Sequence, residues 1–483
     1  MSIQSVNPRT GEVFGPAFPS STDEETAAMI TSSLSAYGKW SAFTAHQRAR
    51  MLDSLADALD ANSESLVEIA DLETGLGAVR LSSEVGRTTF QIRTFARALA
   101  AGQYVTPIPD NAVEEPLPVG HPKFLRMHRG IGPVVIFGAS NFPFAFSVMG
   151  GDSAAALAAG CSIVIKAHPA HPQTSQWTFD IAAKALRDAG APTGLVALGH
   201  GFEFGAQALK DPRIRASAFT GSRTGGRALF DMAQSRANPI PFYGELGSVN
   251  PVVVMESALQ DSAKFAGSYL DSLLMGNGQF CTNPSLLFVP QGESFLDEVR
   301  AQLAHRDLQP FLSQATKALH DANRGLIIRT TRAEVLEGKK AGDVGFYSSP
   351  QVLVLSASEI KSHVSDLHIE CFGPTGIAIT YANLDEVRDI LVELEGALVG
   401  SLFSSPTDHA AAGLLHSLSS LCGRVAFNAW PTGVAVTAGQ HHGGPYPAST
   451  SPLHTSVGVS AMIRFLRPVT FQGVPEDLAT KIN

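Results

Sequence analysis

Between Gly132 and Ala233 the chain repeats one pattern: a short apolar run, a glycine turn, then a stretch with apolar residues at helical spacing. The apolar runs are PVVIFG, SIVIK, GLVALG and RASAFTGS. The helical stretches are DSAAALAAG, residues 173–189, residues 204–210 and a segment through Ala233. Unbroken apolar strands alternating with helices predict a parallel sheet covered on both faces. Ligands bind such sheets at the carboxyl ends of the strands, where Lys166, Gly221 and Ser222 fall. A further short strand, PVVVM, follows GELGSVN. After Cys281 a second alternating series begins with SLLFVP and continues through QVLVL at 351–355 and TGIAITY at 375–381. Ahead of both series, apolar periodicity predicts helices over 22–40, 46–70 and 82–101. Thr22 followed by Glu25 is a capping-box pattern for the first of these. Met51, Leu52, Leu55, Leu59, Leu66 and Ile69 give the second a core face. Arg87, Arg93 and Arg97 on the third are expected to be solvated or paired, the alternative being that one of them grips an acidic substrate.

Residues 103–130 break the pattern. Pro107, Pro109, Pro116, Pro118 and Pro122 exclude a helix, and the alternation that follows into LRMHRG predicts an extended arm. The tail segment FLRPVTFQGVP has the same character, and both are candidates for pairing between subunits. Residues 131–151 carry no charge over the length of a membrane span. Pro133, Gly138, Asn141, Pro143 and Gly150 punctuate them, so a buried strand, a turn and a helix start are expected instead. The stretch 301–345 reads as helical and charged, without assignable chemistry.

Composition narrows the class. Of 483 residues 44% are hydrophobic and 16% charged, with a formal net charge of −9 and no run of lysine or arginine. That is a globular chain without the basic face a nucleic acid needs. Its length allows two or three domains. Four widely spaced cysteines without a CxxC pair argue against disulfides and structural zinc, and for a reducing compartment. The opening MSIQSVNPRTGEVFGP lacks a signal-peptide profile. A cytoplasmic protein acting on small molecules is the expectation, with no metal and no membrane association.

Four residues sit where propensity does not explain them. Cys281 lies in GNGQFCTNP, where Gly276 and Gly278 allow close approach of the backbone to a ligand, a setting for an accessible thiol. Asn141 is set among apolar neighbours in ASNFPF, Glu245 is flanked by glycines in GELG, and Glu370 precedes CFGP. Buried carboxylates are costly unless paired or used. A nucleophile, an oxyanion donor, a base and a ligand hook are together what acyl chemistry on a carbonyl requires. No GxGxxG is present. The GSRTGG turn, Gly221 to Gly226, puts N–H groups at a helix start where a pyrophosphate can sit.

FGASNFPF, SIVIK, FTGSRTGG, GELGS, GNGQFC, ECFGP and HHGGPYP resemble, in that order over nearly the whole chain, the motifs of the aldehyde dehydrogenase superfamily. Within it the wording is most similar to the branch of α-ketoglutarate semialdehyde (2,5-dioxopentanoate) dehydrogenases, and NADP-dependent fatty aldehyde dehydrogenases share much of it. The resemblance implies an α/β fold with a Rossmann-type cofactor domain (1–105 and 129–245), an α/β catalytic domain (246–445) and a small β oligomerisation arm (106–128 and 460–483) in a homodimer or homotetramer. It implies Cys281 as nucleophile, Asn141 as oxyanion donor and Glu245 as base. Lys166 and Glu370 would hold cofactor ribose hydroxyls, Phe372 would lie beside the nicotinamide ribose, and Gly221, Ser222 and Gly226 would line the pyrophosphate turn. In many NAD-preferring relatives a glutamate follows the lysine by three positions; here Pro169 stands there, with His168 and His171 beside it. NADP is therefore expected, with NAD tolerated. The implied reaction takes a small semialdehyde to its acid. Alternatives are a broad-range or fatty aldehyde dehydrogenase, acyl transfer to coenzyme A, which a hydrolytic base at Glu245 disfavours, and a non-catalytic cofactor-binding protein of the same fold. ECFGP, with Cys371 where a branched aliphatic is usual, and GELG in place of AEMG depart from the pattern.

Overall fold

The computed structural model describes residues 2–479; residues 480–483, the end of the expected arm, lie outside the described residues. The first alternating series folds into a five-stranded, all-parallel sheet. Its spatial order is Val196–Gly199, Ile163–Lys166, Val134–Phe137, Ala216–Thr220, Phe242–Glu245. The chain winds outward from Val134–Phe137 to one edge, then returns to wind towards the other. This makes a switch point between that strand and Ala216–Thr220, the place where such sheets leave a crevice. Alternate strand residues enter two separate cores. Val134, Ile136, Ile163 and Ile165 pack with Trp40, Leu52, Phe95 and Leu157, while Val135, Phe137 and Val164 pack with Phe204 and Leu209. Each such fully buried aliphatic side chain contributes about 1.5–3 kcal/mol, so both faces must be covered for the sheet to persist.

The second series gives a seven-stranded sheet in the order Glu334–Glu337, Gln351–Ser356, Thr375–Tyr381, Leu286–Pro290, Pro251–Val254, Ala397–Phe403, Cys422–Phe427. Only Glu334–Glu337 runs antiparallel to its neighbour. Phe288 and Val253 face one core, Leu287 and Val252 the other. Three of these strands, Glu334–Glu337, Ala397–Phe403 and Cys422–Phe427, are absent from the sequence reading, and Glu334–Glu337 lies within the stretch 301–345 expected to be helical. Gly400 and Ser401 interrupt Ala397–Phe403, and Gly423 and Arg424 interrupt Cys422–Phe427. A three-stranded antiparallel sheet joins Leu466–Gln472, Phe124–Gly130 and Ile108–Asp110. Ser2–Val6 pairs with Val13–Pro19 in a separate hairpin.

The helices follow the periodicity with two differences. Thr22 closes the expected capping box with Glu25, ahead of the helix Asp23–Trp40. The single helix expected over 46–70 is two, Ala45–Ala61 and Ser63–Thr74, parted at Asn62. Asn62 turns its side chain back to the Ala58 carbonyl at 2.8 Å, the local bonding that makes asparagine poor in helix interiors. The third helix starts earlier than expected, at Ala78 after Gly77, and runs to Ala100. Residues 131–151 form the buried strand Val134–Phe137, a turn and the start of the helix Gly151–Ala158. Among the described residues no helix is long and apolar enough to cross a membrane.

Candidate active site

Glu245 is the last residue of the edge strand of the five-stranded sheet. Cys281 lies shortly before Leu286–Pro290 of the seven-stranded one. The candidate site thus forms where the two sheets meet. The turn leading to Cys281 has three successive left-handed residues, Gly276 (φ 57°), Asn277 (φ 60°) and Gly278 (φ 69°). At Gly278 a side chain is impossible, because its Cβ would stand 2.1 Å from the Gly373 carbonyl oxygen. Asn250 Nδ2 then fastens the loop, donating to the carbonyls of Cys281 (2.8 Å) and Asn283 (2.9 Å). Asn283 Nδ2 ties it to Leu273 O at 2.7 Å.

Asn141 arrives from the other sheet, in the turn after Val134–Phe137, and is 7% exposed. Its Nδ2 donates to Gln279 O, two residues before the cysteine, at 3.0 Å. An amide nitrogen carries two hydrogens, so one remains for a ligand. Arg80 holds the Asn141 carbonyl through Nη2 at 2.6 Å and lies 5.0 and 4.9 Å from the rings of Phe142 and Phe280.

The sequence reading missed the residue that touches both Cys281 and Glu245. His442 Nε2 stands 3.7 Å from Cys281 Sγ and 3.0 Å from Glu245 Oε2. One potential ligand atom from each of the three residues lies within 4.8 Å of the others. Ser456 Oγ donates to the same carboxylate oxygen at 3.0 Å, and the His442 N–H donates to Thr455 Oγ1 at 2.9 Å. Burial pushes the Glu245 carboxyl up, but contact with His442, then hydrogen bonds from Cys281 and Ser456, hold it below its usual value. Burial first and the Glu245 carboxylate second push the Cys281 thiol well above its usual value. The group is an ionised carboxylate and a protonated thiol in contact with each other, with one imidazole nitrogen against both. Glu245 Oε1 has no hydrogen-bond partner. Glu245 and His442 also line a cavity of about 20 Å³ with Asp152, Thr220, His454 and Arg464, among others, room for about one water.

The expected cofactor residues lie at the ends of the first sheet and beside the second. Lys166 closes its strand without an ion pair among the described residues, and burial lowers it to about 8. Gly221 and Ser222 are exposed ahead of the helix Arg223–Gln234; Ser222 caps it by accepting from Gly225 N at 3.3 Å. Gly226 packs tightly on Leu246 and Phe219. Glu370 accepts from Ser248 N at 3.2 Å and lies against Gly247, with Phe372 partly buried in the turn beyond; burial raises Glu370 to about 7. No hydrogen bond or ion pair joins Lys166 to Glu370. Two histidines differ from expectation. His171 is fully buried and used internally, bonding Ala139 O at 2.8 Å and Ser175 Oγ at 3.1 Å. His168 accepts from Ala170 N at 3.1 Å, and burial and then His171 drive its pKa well down. It is a neutral imidazole and offers no positive charge to a phosphate.

A doubly wound parallel sheet, set against a second sheet that delivers a thiol to its carboxyl edge, defines an α/β protein built for chemistry on a ligand lying between the two. The sequence model of the aldehyde dehydrogenase family matches residues 1–450, and the chain belongs to that family. It is 36% identical over 485 residues, covering 99% of this chain and 92% of the relative, to alpha-ketoglutaric semialdehyde dehydrogenase 2 of Azospirillum brasilense. Identity is 37% over 482 residues, with the same coverage, to alpha-ketoglutaric semialdehyde dehydrogenase of Acinetobacter baylyi. In fold it is similar to 1-pyrroline-5-carboxylate dehydrogenase from Thermus with bound NAD, at TM-score 0.84 and 22% identity over 98% of this chain and 90% of that one.

Proposed function

We propose that this protein oxidises α-ketoglutarate semialdehyde to α-ketoglutarate through a thioester on Cys281, with NADP preferred and NAD accepted, in the cytoplasm. The observation that carries the mechanism is the group of thiol, carboxylate and imidazole, with Cys281 against Glu245 and His442 Nε2 against both. The substrate rests on the two semialdehyde dehydrogenases similar over 99% of the chain.

The thiol is protonated at rest, so it needs a base to become a nucleophile. Glu245, which accepts from both the thiol and His442, takes the thiol's proton and passes it to solvent, while the His442 Nε2–H and Ser456 Oγ hold the carboxylate in place. Cys281 Sγ then bonds to the aldehyde carbon. The free hydrogen of Asn141 Nδ2 and the Cys281 N–H face the oxygen as it gains charge, a stabilisation of roughly 3–4 kcal/mol per donor in comparable sites. Bound nicotinamide would supply the hydride acceptor. Glu245, ionised again and against the thiol, activates a water against the thioester.

The residues present fit a dinucleotide. Lys166 and Glu370 are disposed to hold ribose hydroxyls, Phe372 to flank the nicotinamide ribose, and the exposed Gly221–Ser222 start of a helix, with Gly226 behind it, to hold a pyrophosphate. The preference for NADP rests on Pro169, which puts no carboxylate against a 2′-phosphate; neutral His168 adds only a hydrogen-bonding ring. The antiparallel sheet of Phe124–Gly130 and Leu466–Gln472 serves as the oligomerisation arm, with 1–105 and 129–245 as cofactor domain and 246–445 as catalytic domain.

The test is NADPH formation with α-ketoglutarate semialdehyde, succinic semialdehyde, glutaraldehyde, hexanal and benzaldehyde. The highest kcat/KM is expected for the keto-acid semialdehyde. Turnover confined to uncharged aldehydes overturns the substrate, and silence on all five with cofactor bound overturns the enzyme.

A further inference from the structure

The helix Ala78–Ala100 carries Arg80, Glu84 and Arg87 at one- and two-turn spacing, so the three side chains share a face. That face meets the turn containing Asn141. Two of the three have structural work. Arg80 holds the Asn141 carbonyl; Glu84 Oε1 accepts from Phe144 N at 2.8 Å and Ala145 N at 3.0 Å. Arg87 has little. Its Nη2 makes a long bond to Val434 O at 3.3 Å, and its guanidinium lies 5.1 Å from the ring of Phe146. Its Nη1 is shielded from solvent without a hydrogen-bond partner, and among the described residues it forms no ion pair.

A second guanidinium grips the same loop. Arg424, on the strand Cys422–Phe427, donates Nη1 to Gly433 O at 3.0 Å and Nη2 to Pro431 O. Burial lowers both arginines, and for Arg87 the charges of Glu84 and then Glu245 oppose it. A guanidinium is costly to shield unless its N–H groups are satisfied, and its planar fork matches a carboxylate better than any other biological anion except phosphate.

Resting on the semialdehyde reading above, we infer that Arg87, backed by Arg424, binds the terminal carboxylate of the substrate and selects acid semialdehydes over uncharged aldehydes. A chain of contacts joins the guanidinium to the thiol: the Phe146 ring beneath Arg87 lies 6.1 Å from the His442 ring, whose Nε2 is 3.7 Å from Cys281 Sγ. In a five-carbon semialdehyde four C–C bonds separate the aldehyde and carboxylate carbons, about 5 Å when extended, and a charge-assisted hydrogen bond adds about 2.8 Å. An uncharged aldehyde would leave Nη1 unpaired.

The experiment compares kcat/KM for α-ketoglutarate semialdehyde and hexanal in the wild type, Arg87→Gln and Arg87→Lys. In the wild type the acid semialdehyde is expected to win. Preference for hexanal there would refute the semialdehyde reading before any variant is considered. Given that preference, Arg87→Gln is expected to lower the acid semialdehyde's kcat/KM roughly 30-fold or more relative to hexanal, mainly through KM. Arg87→Lys should recover part of this, since it keeps the charge but not the fork. A ratio within about threefold of wild type in Arg87→Gln, whether both activities fall or neither does, overturns the inference while sparing the semialdehyde reading. Should that variant not fold, the wild type decides. α-Ketoglutarate is expected to protect Cys281 from iodoacetamide at concentrations at least about tenfold below those of the uncharged hexanamide, and equal protection overturns the inference.

Discussion

Replacing His442 by glutamine isolates the one group that touches both the thiol and the carboxylate. The imidazole makes a charge-assisted contact to Glu245 Oε2 at 3.0 Å and lies 3.7 Å from Cys281 Sγ. Losing the first is worth about 1.5–3 kcal/mol, a factor of roughly 10–150 at 1.36 kcal/mol per decade. Losing it also frees the carboxylate that serves as general base, a function worth about 10²–10⁴ in rate. The two overlap, because both act through Glu245, so a fall in kcat of about 10²–10³ is expected rather than their product. The pH dependence has a definite sign. Contact with His442 is the leading influence that keeps Glu245 below its usual value against burial. Without it burial prevails, the carboxyl pKa rises, and the acid limb of the hydrolytic step moves to higher pH. Carbamidomethylation of Cys281 by iodoacetamide, followed by intact mass across pH, reads the thiol directly; kcat gives the whole cycle. The variant should be alkylated more slowly than wild type near neutrality while retaining cofactor binding. Alkylation at the wild-type rate with an unshifted pH profile would refute the role given to the imidazole.

Two further expectations concern the cofactor side. Burial raises Glu370 from 4.5 to about 7, so the ligand-free fold favours its neutral form. That contribution is whole below the unfolded value and is lost as pH rises through about 7, a cost reaching at most about 3 kcal/mol. Glu370→Gln should therefore match the wild type in urea unfolding at acid pH and exceed it increasingly toward pH 8; parallel stability curves would contradict this. At the exposed position after His168, Pro169→Glu places a carboxylate where a 2′-phosphate would lie. The ratio of kcat/KM for NADP over NAD should fall at least about tenfold, and an unchanged ratio would remove the basis for NADP preference.

The parts of this structure that could be read from sequence are those where a local pattern has a single physical solution. Apolar runs alternating with helices at 132–233 could only be a covered parallel sheet, and Lys166, Gly221 and Ser222 do lie at its strand ends. Cys281 announced itself through Gly276 and Gly278, whose left-handed backbone admits little else. His442 was in view within HHGGPYP, but nothing in its neighbours distinguishes it from His441; only tertiary folding sets it against a carboxylate 197 positions earlier. The helical pattern alone makes Arg87 a solvated or paired arginine like Arg93, which does pair with Asp57 and Asp60, and leaves a grip on an acidic substrate as the alternative for any of Arg87, Arg93 and Arg97. The spacing of Arg87 from Arg80 and Glu84, three charges on a face that also carries Leu81 and Val85, was the overlooked sign of a buried polar stripe. Asn62 and Ser63 similarly marked the break in the second helix.

Both large sheets are complete by Phe427, yet His442 and Ser456 reach Glu245 from beyond that point, with Thr455 holding His442. A nascent chain halted there would own every strand of its two cores but hold an uncompensated carboxylate beside a thiol without its imidazole. Chemical competence is thus conferred by a segment that adds no strand to either large sheet. The same segment also lends Ala461, Met462 and Phe465 to the core under the first sheet, so the thiol's setting and part of the scaffold's packing are secured together.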